Sequence, residues 1–402
     1  MSNVLVFNFP GEGHINPTIA LVEELMQRGE DVVYYCVEDY KEKIEQTGAE
    51  FRAYENFMPK PGTLNEDPQK LDREKLMTHL IKGMDDVMEQ ELDTLKTEAY
   101  DYVIYDNNFA AGKMIADVLQ LPKISSCTTF ALNSEVVSEF MKNEENQIMN
   151  IEIPQTGEVH AITEKWENEY GLPIRRFQDI MNQPGDMTIV YTSELYQPYA
   201  EEFDESFKFV GPSIAPRRDV EPFSFENLPE GKLIYISMGT VFNDQPELYE
   251  TCFDAFRNSE ANVVMSVGKK INVEDFEDIP DNFFVHNYVP QLEVLEQADV
   301  FFTHGGMNSS SEGLYYGVPL VVLPVRGDQP IIAKRIEELE AGFKLDREKV
   351  TADQLKTSAN RILNEPRYKE NSEKVGESLQ EAGGYMRAAD EIISFKLDYS
   401  IE

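Results

Sequence analysis

A repeated order of short apolar run, glycine-bearing turn and helical segment leaves this chain few ways to fold. Val4 to Phe9 runs apolar into Pro10-Gly11-Glu12-Gly13-His14, and helical periodicity follows from Pro17 to Arg28, where Gly29 stops it. Asp31 to Cys36 and Glu50 to Tyr54 read as strands flanking a helix from Tyr40 to Thr47. Beyond a proline-rich loop over Pro59 to Pro68 come a helical region from Leu71 to Thr97 and a strand from Tyr102 to Tyr105 that ends in Asp106-Asn107-Asn108. A helix over Phe109 to Leu119 and a strand over Lys123 to Ser126 continue the alternation. Such alternation folds as a parallel sheet with helices on both faces. In a doubly wound sheet of order 3-2-1-4-5 the fourth strand lies beside the first, so the loops carrying His14 and Asp106 should be neighbours. An aspartate beside an imidazole fixes its tautomer and stabilises its protonated form, and such a dyad can take a proton from a hydroxyl.

The same unit recurs later. Met187 to Thr192 and Phe207 to Val210 close the first half, and a segment rich in proline and charge from Gly211-Pro212-Ser213 through Arg217-Arg218 to Pro229-Glu230-Gly231 reads as a linker. Leu233 to Met238 then opens a second strand-turn-helix unit with Ser237-Met238-Gly239-Thr240 as its turn and Pro246 at its helix start. Ala261 to Val267, Phe283 to His286, Val300 to Thr303 and Leu320 to Pro324 extend this second sheet, with helices from Thr351, Arg367 and Gly384. The expected domains are 1–215, a linker at 216–231, 232–384, and a last segment 385–402. The strand at Val300 to Thr303 runs straight into His304-Gly305-Gly306 and a helix starting near Met307. Unpaired N–H groups and the positive helix end converge there, so a diphosphate can be held without a lysine. Gly305 and Gly306 allow close backbone approach, His304, Asn308 and Ser309 offer donors, and Glu312 can accept from ribose hydroxyls.

Net charge decides which partners to exclude. With 74 acidic and 36 basic residues among 402, the formal charge is −38, which disfavours nucleic acid and anionic membrane surfaces. Cys36, Cys127 and Cys252 are too few and too scattered for a disulfide framework or a zinc site, and there is no Asp-x-Asp triplet. No basic leader precedes the first strand and no apolar run is long enough for a membrane helix, so the expectation is a cytoplasmic protein, monomeric by default.

The stretch from Tyr288 to Gln329 resembles the donor-binding signature of family 1 UDP-glycosyltransferases. It carries Tyr288-Val289-Pro290-Gln291, His304-Gly305-Gly306-Met307-Asn308-Ser309, Glu312, Gly317-Val318-Pro319 and Asp328-Gln329 in the family's order and spacing. Tyr288 stands where the plant enzymes have Trp, and Gly305-Gly306-Met307 where they have Cys-Gly-Trp, which points to the bacterial, macrolide-glucosylating branch. The resemblance implies GT-B architecture: two Rossmann-like parallel-sheet domains facing a cleft, with the last helix crossing back to the N-terminal domain. It implies that Tyr288 stacks on uracil, that the Val289 backbone and Gln291 read its edge, and that Asp328 and Gln329 bind the sugar hydroxyls. Gly239 and Thr240 would meet the diphosphate from the opposite side. It makes His14, in Gly13-His14-Ile15-Asn16-Pro17, the catalytic base and Asp106 its partner, in an inverting transfer, most simply of glucose, from a UDP-sugar to a hydrophobic small-molecule acceptor such as a macrolide, flavonoid or other phenol. No metal or other cofactor is expected.

The less regular region from Leu132 to Met181 carries Phe140, Trp166, Tyr170 and Phe177, with Phe130 just before it, and reads as the variable acceptor region or equally as core. Thr128 and Thr129 could face the sugar. A lipid-linked sugar transferase would need a basic, apolar patch that the composition withholds. A nucleotide-sugar epimerase or a non-catalytic nucleotide-sugar sensor on the same scaffold competes, and the His14 and Asp106 pair speaks against the sensor. A dinucleotide dehydrogenase is weakest, because the first loop lacks the Gly-x-Gly-x-x-Gly order.

Overall fold

A computed structural model describes residues 2–59, 73–142, 151–216, 223–240 and 243–401. The proline-rich loop expected after Pro59 and the Arg217-Arg218 part of the linker lie outside them. The described chain forms two compact units, one of Met1–Ile214 with Ala382–Glu402 and the other of Ala215–Glu381.

The first unit runs β1 (Asn3–Phe7), α1 (Glu12–Gln27), β2 (Asp31–Cys36), α2 (Lys41–Glu45), β3 (Glu50–Ala53), α3 (Arg73–Leu95), β4 (Tyr102–Asp106), α4 (Ala110–Leu119), β5 (Lys123–Cys127), α5 (Ser134–Met141), α6 (Glu158–Tyr170), β6 (Met187–Val190) and β7 (Phe207–Phe209). Its sheet is parallel throughout, in the order β3-β2-β1-β4-β5-β6-β7. β1 is buried from Val4 to Phe7 between β2 and β4, which is why its sequence is an unbroken apolar run rather than an alternating one.

The second unit runs β8 (Leu233–Ser237), α7 (Pro246–Phe256), β9 (Asn262–Ser266), β10 (Phe283–His286), α8 (Gln291–Gln297), β11 (Val300–Thr303), α9 (Met307–Tyr315), β12 (Leu320–Val322), α10 (Gln329–Glu338), β13 (Gly342–Lys344), α11 (Ala352–Asn364) and α12 (Pro366–Glu381). Its order, β10-β9-β8-β11-β12-β13, repeats the doubly wound plan. A separate core fills it, with Ile234, Ile236, Val263, Met265, Val300 and Phe302 from the sheet and Tyr249, Cys252 and Phe256 from α7.

The last helix, α13 (Gly384–Asp398), returns to the first unit. Ala388, Ala389, Ile392 and Phe395 join that unit's core, and the Gly384 N–H donates to the Val210 carbonyl at 2.5 Å. Lys396 is paired with Glu30 at the end of the turn after α1, both less than a tenth exposed, and the Tyr102 hydroxyl donates to the same carboxylate at 3.3 Å.

One expectation is corrected and one open alternative is decided. Helix α1 begins at Glu12, five residues before the expected start, with Pro17 inside it. A proline at its sixth position lacks only the N–H that would meet Gly13, and the Asn8 carboxamide donates to the His14 carbonyl at 3.2 Å. His14 therefore sits in the first turn of a helix and not in a free loop. Phe130, Trp166 and Phe177 are buried rather than lining a surface: Trp166 and Phe177 lie in the first unit's core, the Trp166 indole N–H donates to Asp85 at 2.8 Å, and Phe130 packs edge-on against Tyr196.

Candidate functional site

At the carboxyl ends of β1 and β4 the first unit brings together two of the residues singled out above. The neighbouring strands carry the turn into α1 on one side and Asp106, the last residue of β4, on the other. His14 Nδ1 lies 2.9 Å from Asp106 Oδ2, the carboxylate being 1% exposed and the imidazole 23%. Asp106 Oδ1 accepts the Asn108 backbone N–H at 2.8 Å, so both oxygens are held and the carboxylate cannot swing away. It does not cap α4, whose N-cap Phe109 has no side-chain cap bond. The Thr128 hydroxyl is 3.2 Å from the same His14 nitrogen.

The imidazole rests against Phe9, ring centroids 4.9 Å apart. Phe9 in turn contacts Phe57 and Phe109, and those two stack at 5.6 Å. A carboxylate accepts and cannot donate, so the proton between the pair belongs to Nδ1 and the basic lone pair to Nε2. That is the arrangement of a general base.

The second unit, taken by itself, gathers a different set of the expected residues. β11 passes through His304, Gly305, at φ +81°, and Gly306 into α9, so that Met307, Asn308 and Ser309 form the helix's first turn. The His304 ring fits only because two neighbours lack a Cβ: one added at Gly239 or at Gly306 would come within 2.5 Å of it. The Gly239 turn after β8 and the start of α9 thus clasp one imidazole between them, and Thr240 follows, exposed. Burial, and secondarily the positive charge of Arg347, push the His304 pKa down to about 4. Arg347 is 8% exposed, its Nε donates to Gln245 at 2.7 Å, and burial lowers its own pKa to about 10. Nothing in the sequence marked Arg347. It follows β13 and reaches this place only through the fold, although a basic residue at a strand end in so acidic a chain is a signal that could have been weighed.

His304 makes a testable contribution to acid stability. Unfolded, the ring takes up a proton near the ordinary value of 6.5; folded, only near 4. Between those values the unfolded state holds the extra proton, so stability falls as pH drops from 6.5 to 4. Urea unfolding at both pH values is expected to show a larger loss for the unchanged protein than for His304→Asn. Equal losses would mean that the ring is not held neutral.

Around the rest of the expected donor site, Tyr288 is 48% exposed, with the Lys269 ammonium 5.4 Å from its ring centroid, and Val289 is buried. Gln291, the first residue of α8, was expected to read a base edge. Its Oε1 accepts the Tyr235 hydroxyl at 3.0 Å and its Nε2 donates to Glu312 Oε2 at 2.6 Å, which makes it a bridge between two buried groups. Asp328 is the N-cap residue of α10, and buried Gln329, the helix's first residue, accepts the Val325 N–H through Oε1 at 2.7 Å, tying the turn after β12. Among the described residues no three His, Cys, Asp or Glu side chains are grouped so as to hold a metal ion, and no helix is long and apolar enough to cross a membrane.

Known proteins are similar to this chain over nearly its whole length. Residues 250–382 match the family described as Erythromycin biosynthesis protein CIII-like, C-terminal domain. The Bacillus subtilis (strain 168) protein named as the uncharacterized UDP-glucosyltransferase YojK is 41% identical over 397 residues, covering 98% of this chain and 97% of that protein. The NDP-glycosyltransferase YjiC of Bacillus licheniformis is 37% identical over 402 residues, covering 98% and 97%. Among solved structures, that of CalG4, the calicheamicin glycosyltransferase, superposes with a TM-score of 0.84 at 25% identity, covering 98% of each chain.

Proposed function

The chain belongs to the family 1 glycosyltransferases, in their bacterial macrolide-like branch, with GT-B architecture, and from that membership we propose that it moves glucose from UDP-glucose to a hydroxyl of a hydrophobic small molecule such as a macrolide, flavonoid or other phenol. His14 Nε2 removes the acceptor proton. The acceptor oxygen forms its bond to the anomeric carbon as the bond to the β-phosphate oxygen breaks, and the electron pair leaves with UDP. Displacement from the opposite face inverts the anomeric centre. Asp106 stabilises the imidazolium that His14 becomes. The departing diphosphate is met by the N–H groups of the first turn of α9, by His304 as a neutral donor and by the charge of Arg347, fixed groups that need no metal to assist them. Tyr288 stacks on the base, Glu312 accepts from the ribose, and Asp328 and Gln329 bind the sugar.

The observation that carries this reading is the 2.9 Å contact between His14 and the doubly held, buried Asp106. A base so oriented serves a proton transfer, which a sensor has no use for. The experiment is UDP release from EDTA-treated protein given UDP-glucose and a panel of phenols with one macrolide. Release that depends on the acceptor and survives EDTA is expected. Release that needs added Mg²⁺ would overturn metal independence, and UDP-glucose binding with no stimulation by any acceptor would favour the epimerase or sensor.

A further inference from the structure

We infer that Tyr235 is a positioning residue for the donor's ribose, and that through Gln291 and Glu312 it makes the protein prefer ribonucleoside to 2′-deoxyribonucleoside diphosphates. The inference rests on reading the second unit as a nucleotide-sugar site and deepens that reading.

Three side chains from three elements form one chain of hydrogen bonds. The Tyr235 hydroxyl, on β8, donates to Gln291 Oε1 at 3.0 Å, and Gln291 Nε2, on α8, donates to Glu312 Oε2, on α9, at 2.6 Å. The direction of each bond is forced. A carboxamide oxygen only accepts, so the phenol must donate; a carboxylate only accepts, so the amide must turn its nitrogen toward Glu312. Flipping the amide would set its oxygen against the carboxylate. Tyr235 is 1% exposed and stacked on Phe301 of β11 at 4.8 Å with 13° between the rings, and Glu312 is 4% exposed, so both ends of the chain are anchored.

A carboxylate oriented in this way recognises hydroxyl donors and repels phosphate. Glu312 lies five residues beyond Met307, about 7.5 Å along the helix axis from the first turn. A ribose joined through its 5′ carbon to a diphosphate at the helix end covers that span, and its 2′- and 3′-hydroxyls are the donors such a carboxylate would accept. Without the Tyr235 hydroxyl the amide keeps its bond to Glu312 but loses its anchor on β8, so amide and carboxylate can swing together and the carboxylate is no longer held in place.

The test compares binding of UDP and of 2′-deoxy-UDP to the full chain and to Tyr235→Phe by calorimetry, with steady-state kinetics on UDP-glucose and a thermal melt. The unchanged protein is expected to favour UDP about tenfold, the worth of a well-made hydrogen bond to a charged group. In Tyr235→Phe the ratio falls close to one because UDP weakens, 2′-deoxy-UDP stays within about twofold, and KM for UDP-glucose rises with kcat unchanged. Gln291→Leu breaks the same chain from its middle and gives the same collapse, which serves if Tyr235→Phe does not fold. An unaltered ratio in a folded variant, or equal weakening of both ligands, overturns the inference and leaves the site reading standing. Failure of the unchanged protein to bind UDP overturns both.

Discussion

Replacing His14 by alanine is expected to lower turnover about a thousandfold, within the range by which a positioned general base accelerates proton transfer, and to leave UDP affinity where it was. The separation follows from where the groups sit. His14 and Asp106 belong to the first unit, whereas the glycine turns, α9, His304 and Arg347 that are proposed to hold the diphosphate all belong to the second. Asp106→Asn is the finer probe. An amide at this position can donate to Nδ1, which drives the imidazole proton to Nε2, the nitrogen that has to be basic. Turnover is then expected to fall by about a hundredfold or more while the backbone is undisturbed, since the Asn108 N–H can still be accepted by the amide oxygen. UDP release and calorimetry on the same preparations decide it. A His14→Ala protein that kept a tenth of its activity would remove His14 from the chemistry.

The second large effect concerns Lys396 and Glu30. Lys396→Ala is expected to destabilise the first unit by about 3–5 kcal/mol, because it leaves a carboxylate in a buried position with, among the described residues, the Tyr102 hydroxyl as its remaining side-chain donor. The chain's single tryptophan, Trp166, is buried in this unit, so its fluorescence in urea follows this unit alone. Glu30→Gln combined with Lys396→Met is expected to recover most of the loss, since replacing both charges removes the stranded ion as well as the attraction. If Lys396→Ala costs less than about 1 kcal/mol, the helix is held by its apolar face and the pair is incidental.

Much of this was legible in the sequence because buried parallel strands are written as apolar runs. β1, β4, β8, β9 and β11 stand where such runs do, and the order 3-2-1-4 brings His14 to Asp106 from residues far apart in sequence. Short or mixed signals leave an element without a pattern of its own. β13 has three residues, too few to show a period, and α10 begins at Gln329-Pro330, inside the Asp-Gln pair that also reads as a sugar contact. Pro17 suggested a helix start although a helix tolerates proline in its early turns at the loss of one bond. Side chains that act through packing left least trace. Tyr235 reads as one more apolar strand residue until its hydroxyl is seen on Gln291, and Trp166 suits a hydrophobic lining as well as it suits a core.

The return of α13 bears on how the protein is made. The whole second unit, Ala215–Glu381, is spliced between the body of the first unit and the helix that completes it. A nascent chain can finish the second unit while the first still lacks Ala388, Ala389, Ile392 and Phe395 from its core and holds Glu30 with no cation. At roughly five to twenty residues per second, the ribosome keeps the first unit in that state for about ten seconds or more. Chaperones and proteases meet an open apolar face during that interval, and synthesis that stalls anywhere in the second unit strands it. Yield in the cell should therefore depend on the codons for residues 382–402 more steeply than their distance from His14 suggests.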